Sequence, residues 1–286
     1  MQRVSIVIIN YNDKLRIKRA IDSAINQTWK NTEVIMVDDG SDEATRKIYE
    51  DYTFFEDLKL IQRERTDKAD RTPSAARNAG IEAATGDYVC FLDSDNYYST
   101  TFVEEMMKNP ADIMYCNWEI IGMQEYKVNI EQVWKADNRL LQNYLMFQHL
   151  DHQCLLIKKD ILDKVGLYDN RFPRSQDCDF IVRILLTTEN WVHCAKCLFH
   201  FEKHEKDQNK NYASIYGKTL WTLKNNINYM WLLGLVQKDP MCLMSFYQAI
   251  KTFTTAKEWA DDYSKSEFKE LIKEHAKALK LEQGEK

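Results

Sequence analysis

Residues 86–96 read GDYVCFLDSDN, a short apolar run followed directly by two aspartates. The run Tyr88–Leu92 predicts a buried strand, since a brief continuous apolar segment bounded by turn residues is typical of one. Asp93 and Asp95 stand two residues apart, so their carboxylates point to the same side of an extended chain. Two such carboxylates repel each other unless a cation or hydrogen-bond donors compensate, and oxygen ligands suit a hard divalent ion. The stretch therefore predicts a buried strand that ends in a candidate metal site.

On both sides of this stretch the sequence alternates between strand and helix patterns. The predicted strands are Val4–Ile9, Thr32–Val37 and Lys59–Arg63 before it, then Ala111–Trp118 and Gln153–Ile157 after it. The predicted helices are Lys14–Gln27, Glu43–Tyr52, a helix opened by Thr72 and Pro73 that stops near Gly86, and Asp177–Leu186. Such alternation predicts the α/β class, with a mostly parallel, Rossmann-like sheet flanked by helices. Ligands of such sheets bind beyond the carboxyl ends of the strands, where both acidic clusters, Asp38-Asp39 and Asp93–Asp95, fall.

The composition excludes several classes of protein. Only 8 Gly and 4 Pro occur in 286 residues, which excludes collagen-like and Gly/Pro-rich disordered chains. A net charge of −5 provides no global basic field, so we expect no nucleic-acid partner. The longest clean apolar run, Met230–Val236, is far shorter than the roughly 18 residues that a membrane-spanning helix needs.

The seven cysteines indicate a reducing compartment. Their number is odd, most lie in apolar stretches, and the N-terminus leads straight into the first predicted strand without a secretory signal. We therefore expect reduced thiols in a cytoplasmic protein. Cys194 and Cys197 form a CxxC pair, but no second pair or suitably spaced histidine pair supports a zinc site. Two thiols on or beside a strand is the favoured interpretation of this pair.

From about residue 212 the chain has the pattern of helices. The last of them, Ser266–Leu281, is charged on one face and apolar on the other. Such a helix packs on the body of the protein, forms a homodimer contact, or lies peripherally on the inner face of the cell membrane.

Four motifs, taken together and in this order, resemble the family 2 glycosyltransferases, which have the GT-A fold. They are VSIVIINYN at 4–12, VDDGS at 37–41, SAARNAGI at 74–81 and GDYVCFLDSD at 86–95. The resemblance is strong over residues 1–105, fair to about 210 and absent beyond. It implies a nucleotide-sugar-binding half at 1–105 and an acceptor-binding half at 106–211, followed by a helical region at 212–286.

The resemblance also implies roles for the residues of the donor site. The donor is a UDP-sugar bound with Mn²⁺ or Mg²⁺. The residues matched to the nucleoside are Asn10, Tyr11, Asn12, Asp38 and Asp39, and those matched to the metal motif are Asp93, Ser94 and Asp95. Asp95 ligates the ion, whereas Asp93 holds the ribose or the ion. From their chemistry alone, Arg77 and Arg71 are equal candidates for a phosphate contact or for surface ion pairs.

The acceptor side of the family matches the segments Leu155–Lys158, Val165–Asp169 and Gln176-Asp177. The match assigns the general base to Asp177, with Asp179 as the alternative. Gln176 stands where the family usually has Glu, and Asn96 stands where many members have a further Asp. His204 matches a histidine that completes the metal site, although an exposed surface role suits it equally well.

These matches predict an inverting transferase that moves a sugar from UDP to a hydroxyl of a glycan or lipid-linked saccharide, in bacterial capsule or lipopolysaccharide synthesis. Because Gln176 and Asn96 depart from the family pattern, an alternative remains: a catalytically degenerate partner subunit that binds a nucleotide sugar without transferring it. A nucleotidyltransferase would instead need a Gly-rich phosphate loop after the first strand, and Asn10–Asp13 contains no glycine.

Overall fold

The computed structural model describes residues 1–65, 72–121, 126–128, 150–170 and 176–202. All of them belong to one compact unit of the chain, 1–138 together with 149–205. Arg71, His204 and the predicted helical region 212–286 lie outside the described residues.

Nine strands of the described chain form one sheet. They are β1 (Val4–Asn10), β2 (Thr32–Asp38), β3 (Leu58–Gln62), β4 (Tyr88–Asp93), β5 (Tyr97–Tyr98), β6 (Ile113–Ile121), β7 (Tyr126–Val128), β8 (Leu155–Lys158) and β9 (Trp191–Glu202). Their order across the sheet is β3-β2-β1-β4-β8-β6-β9-β5, and β7 pairs with β6. The predicted α/β class is confirmed. The first four strands are parallel, whereas beyond β4 the sheet is mixed, because β8 runs antiparallel to both β4 and β6.

Six α-helices of the described chain accompany the sheet. They are α1 (Ile17–Ile25), α2 (Glu43–Glu50), α3 (Pro73–Ala83), α4 (Phe102–Met106), α5 (Lys159–Val165) and α6 (Gln176–Thr187). The helix α1 begins three residues later than the predicted Lys14, since Asp13 holds the preceding loop through its bond to Arg16 N at 3.2 Å. The N-cap of α2 is Asp42, whose side chain accepts from Thr45 N.

The helix α3 packs unusually close to the sheet. A Cβ on Gly80 would lie 2.1 Å from Val7 Cγ1 of β1, a distance that no side chain tolerates. Pro73 occupies the first turn of α3, where its missing N–H costs nothing. The small residues of the SAARNAGI segment thus bring this helix, and with it Arg77, against the carboxyl edge of the sheet.

The register of the parallel strands gathers the predicted polar residues at one edge. Asn10 of β1 lies opposite Asp38 of β2, and Ile9 lies opposite Asp93 of β4. All three strands therefore end together, and the loops that follow them meet in one place.

Two further expectations concern the cysteines and the membrane. Cys194 and Cys197 both lie in β9, and the five cysteines described in the structure carry no disulfide. Within the described ranges, no helix is long and apolar enough to cross a membrane.

Candidate functional site

A cavity of about 490 Å³ opens at the carboxyl edge of β1, β2 and β4. It collects eight residues that the sequence assigns to the donor site: Asn10, Tyr11, Asn12, Asp39, Arg77, Asp93, Ser94 and Asp95. Asp93 and Asp95, both half-buried, line it together. Among the described candidates, Asp38 and Asp177 are not part of its lining.

The centre of the cavity is an ion pair between Arg77 and Asp93. Arg77 Nη2 lies 2.7 Å from Asp93 Oδ1. Burial works to raise the pKa of Asp93, but the charge of Arg77, a smaller contribution from His152 and the hydrogen bond from Arg77 together outweigh burial and hold this pKa below its usual value. Asp93 is therefore ionised, and its charge is paired with Arg77 within the protein.

Arg77, which lines the cavity, has further hydrogen-bonding capacity. Arg77 is only 3% exposed, and within the described part of the chain its Nε and Nη1 have no hydrogen-bond partner. A buried guanidinium with unused N–H groups is costly unless an acceptor reaches it. The N–H groups that remain suit the acceptor oxygens of a phosphate or a carboxylate.

Gln153 fixes the loop that carries the two aspartates. Its Oε1 accepts from Asp93 N at 2.8 Å and from Asn96 Nδ2 at 3.1 Å, while its Nε2 donates to Asp93 Oδ2 at 3.3 Å. Asn96 in turn accepts from Glu202 N at 3.0 Å and is 1% exposed. Asn96, which stands where many members of the family have Asp, is thus buried beneath the loop and supports it. Local sequence patterns gave no signal for Gln153, which comes from 60 residues away.

Asp38 lies beneath the cavity, where it holds the site together. It is fully buried and accepts from Arg46 Nε at 2.9 Å and from the Tyr49 hydroxyl at 3.1 Å. The same hydroxyl accepts from Asn10 Nδ2 at 2.7 Å. Asp38 and Asn10 are thereby joined through Tyr49, which links the ends of β1 and β2.

Asp39 forms a wall of the cavity with two arginines. Its carboxylate pairs with Arg63 and with Arg65, whose Nη2 lies 2.6 Å from Asp39 Oδ2. The Arg65 guanidinium lies over the Tyr11 ring, 3.4 Å from its centroid, and 49% of Tyr11 remains exposed. The sequence interpretation did not include Arg65, because its place follows from the path of the chain after β3.

The loop after β1 is held in a defined shape. Asn12 has a positive φ of 56°, a conformation that asparagine tolerates better than most residues. Its N–H donates to Ser41 Oγ at 3.0 Å, and its Oδ1 accepts from Asp42 N at 2.8 Å. The Asn10–Asn12 loop is therefore tied to the loop after β2 before any ligand arrives.

The two aspartates at the start of α6 differ in environment. Asp179 is 1% exposed, and its Oδ2 lies 2.8 Å from Arg183 Nη2, so its carboxylate is engaged within the fold. Asp177 is half-exposed. Burial works to lower the pKa of Arg77, but nearby negative charge raises it above its usual value, with Asp93 contributing more than Asp177. Asp177 therefore lies within electrostatic reach of the cavity's central ion pair.

Comparisons with known proteins match this chain to one family. The family described as "Glycosyl transferase family 2" matches residues 5–166. Escherichia coli WfgD, named UDP-Glc:alpha-D-GlcNAc-diphosphoundecaprenol beta-1,3-glucosyltransferase, is 29% identical over 212 residues, covering 72% of this chain and 78% of that protein. An uncharacterized Rickettsia typhi glycosyltransferase is 30% identical over 192 residues, covering 64% of this chain and 58% of that protein. The chain thus spans little more than half the length of the Rickettsia relative.

Solved structures share the fold at low identity. Staphylococcus aureus TarS 1-349 in complex with UDP superposes with a TM-score of 0.59 at 18% identity, over 79% of this chain and 66% of that one. GalNAc-T7 with UDP, GalNAc and Mn²⁺ gives 0.54 at 14% identity, over 71% and 44%. The GT-A fold expected from the sequence is confirmed.

Proposed function

Because this chain belongs to glycosyl transferase family 2, we propose that it transfers a sugar from a UDP-linked donor to an acceptor hydroxyl, with inversion at the anomeric carbon. The observation that carries the proposal is that Arg77, Asp93 and Asp95 line one cavity, while the described residues leave two N–H-bearing nitrogens of the buried Arg77 without an acceptor. A diphosphate supplies the acceptor oxygens that such a guanidinium lacks.

The nucleoside would occupy the part of the cavity near Tyr11. One face of the Tyr11 ring is covered by Arg65, so the other face offers a stacking surface for the base. Asp39 would accept from the base or the ribose through Oδ1, which takes one N–H from Arg63 and keeps a second lone pair, whereas Oδ2 accepts from both Nε and Nη2 of Arg65. Asp38, buried beneath, would position this loop without touching the ligand.

The aspartates of the β4 loop fit a divalent cation. Asp93 and Asp95 offer oxygen ligands of the kind that Mg²⁺ and Mn²⁺ prefer. Arg77 and Gln153 engage Asp93, and the match to the family assigns the ion to Asp95. When bound, the ion would offset the charge that builds on the departing diphosphate.

Asp177 would act as the general base. As the acceptor oxygen attacks the anomeric carbon, the Asp177 carboxylate would take the hydroxyl proton, and the bond from that carbon to UDP would break. Asp177 is half-exposed, as a group that meets an incoming acceptor must be, whereas Asp179 is engaged with Arg183. Arg77 would hold the leaving UDP on the opposite side of the sugar.

The name of WfgD, which specifies a UDP-linked donor and a diphosphoundecaprenol acceptor, supports a lipid-linked saccharide as the acceptor here. That acceptor class fits a role in bacterial surface polysaccharide synthesis on the cytoplasmic side of the membrane. The degenerate partner subunit is the second candidate. It predicts the same UDP binding without turnover.

A donor panel assayed by UDP release, with and without Mn²⁺, tests the proposal. We expect Asp177→Asn to retain UDP affinity by calorimetry and to lose turnover by roughly 10²- to 10⁴-fold. Asp95→Ala should abolish metal-dependent UDP binding. Asp163→Asn, which removes a 63% exposed carboxylate of α5, is the matched control and should behave as the wild type. Near-normal turnover by Asp177→Asn would refute its role, and UDP binding without turnover on any donor would favour the degenerate subunit.

A further inference from the structure

An irregularity in β9 turns Cys197 toward His200. In a regular strand these residues, three apart, would point to opposite faces. Here Cys197 lies opposite Asn117 of β6, and His200 lies opposite Glu119, with one register shift between them, at Asn117/Trp118. Asn117 and Glu119 are two apart on β6 and share a face, so the extra residue in β9 brings Cys197 onto the face of His200. Bulges re-aim side chains in this way, often where a strand carries function.

Three metal-binding side chains meet on that face. A carboxylate oxygen of Glu119, Cys197 Sγ and a ring nitrogen of His200 all lie within 4.8 Å of one another. The ligands of a tetrahedral zinc ion, with Zn–S near 2.3 Å and Zn–N near 2.0 Å, stand about 3.5 Å apart. Small side-chain rotations would shorten the separations within 4.8 Å seen here to the about 3.5 Å that zinc ligands need.

His200 is oriented as a metal-binding histidine is. Its Nδ1 lies 2.8 Å from Glu119 Oε1, and its Nε2 lies 2.9 Å from Ser99 Oγ. A histidine that binds a metal through one nitrogen usually donates its other N–H to an oxygen. Ser99 supplies that oxygen, which directs Nδ1 toward Glu119 and Cys197. The Tyr97 ring, stacked on His200 with centroids 4.6 Å apart, further fixes the imidazole plane.

We propose that Glu119, Cys197 and His200 form a binding site for Zn²⁺, separate from the donor cavity. A thiolate and an imidazole favour Zn²⁺ over Mg²⁺ or Mn²⁺, whereas the cavity offers oxygen ligands. None of the three lines that cavity. Cys197 is exposed and the other two are half-buried, so an ion can enter from solvent. With three protein ligands, the fourth position accepts water or another small ligand.

Zinc titration of the reduced, metal-stripped full chain against a chelating dye tests this site. We expect the wild type to bind one Zn²⁺ that Cys197→Ser binds at least about 100-fold more weakly, since even an outer-shell loss costs 10- to 100-fold. Cys194→Ser is the matched control, because it removes the other thiol of the same pair in the same strand, and it should retain the ion. Excess Mn²⁺ should not displace the ion.

Co²⁺ gives an independent measurement of the same ligands. The wild type and Cys194→Ser should show a thiolate-to-cobalt charge-transfer band that Cys197→Ser lacks. Equal zinc affinity in the wild type and Cys197→Ser, or equal loss in Cys194→Ser, would overturn the site. Asp95→Ala should keep the ion, which separates this result from any failure of the proposed transferase activity.

Discussion

Replacing Asn96 with aspartate tests how the fold holds the loop of the two acidic residues. Asn96 Nδ2 donates to Gln153 Oε1, and Asn96 Oδ1 accepts from Glu202 N. In N96D an oxygen replaces the donor, so two acceptor oxygens face each other. Turning over the Gln153 amide does not help, because the same Oε1 accepts from Asp93 N at 2.8 Å. One buried group therefore loses its partner in either arrangement.

The size of the effect follows from the burial. A buried polar group without a partner costs about 1–3 kcal/mol, and a charged one costs more. Since Asn96 is 1% exposed, we expect N96D to lower the free energy of unfolding by about 2–4 kcal/mol. In a domain of this size each kcal/mol corresponds to about 2–4 °C, so Tm should fall by at least about 4 °C.

The loss should depend on pH. Burial raises the pKa of the introduced carboxyl above its unfolded value of about 3.9. The folded state then binds more protons than the unfolded state, so stability falls as pH rises through the folded pKa. Below the unfolded pKa the neutral carboxyl donates to Gln153 Oε1, and the loss largely disappears.

Thermal and urea unfolding of N96D and the wild type, between about pH 5 and pH 8, measure this difference. Asn109→Asp is the control, because Asn109 is exposed and the same charge change should stay within about 0.5 kcal/mol there. An N96D protein as stable as the wild type at pH 7, or a deficit that does not vary with pH, would refute the reasoning.

Two further substitutions test the helix that carries Arg77. Gly80→Ala should destabilise the fold by about 1–3 kcal/mol in urea unfolding, because its methyl group meets Val7 of β1. Glu82→Ala, on the exposed side of the same helix, is its control, and equal stability of the two would contradict the close packing. Arg77→Lys keeps the charge but loses the fork of N–H donors, so calorimetry should give a UDP Kd roughly 10- to 150-fold higher. An unchanged Kd in Arg77→Lys would show that the guanidinium does not contact the diphosphate.

The sequence predicts the parallel half of the sheet well, because its signals are local. The run Val4–Ile9 and the acidic residues after each strand mark both the elements and the edge where they end. Gly80 also has a local signature, since a glycine within a helical pattern rich in small residues indicates close packing. The register that places Asn10, Asp38 and Asp93 at one edge follows from the parallel pairing.

The supporting residues of the site have no such signature. Gln153 precedes an ordinary strand, and its bonds to the β4 loop exist because β8 runs beside β4. Arg65 follows β3 and becomes part of the cavity through Asp39 and Tyr11. The strand β9, with its bulges, breaks the alternation that marks a regular strand, so periodicity gives little indication of it.

Asn96 and Gln176, the two residues that differ from the family pattern, are both buried, and neither is a residue assigned to the chemistry. Asn96 is buried and serves as a strut, and its neutral amide supplies a donor that a carboxylate lacks. Gln176 is also buried, at 9% exposure, where a charged Glu would need a partner. The groups assigned to chemistry, Asp95 and Asp177, are instead half-exposed. Asn96 therefore falls at a position that supports the β4 loop, and the carboxylates that would meet the cation and the acceptor are retained.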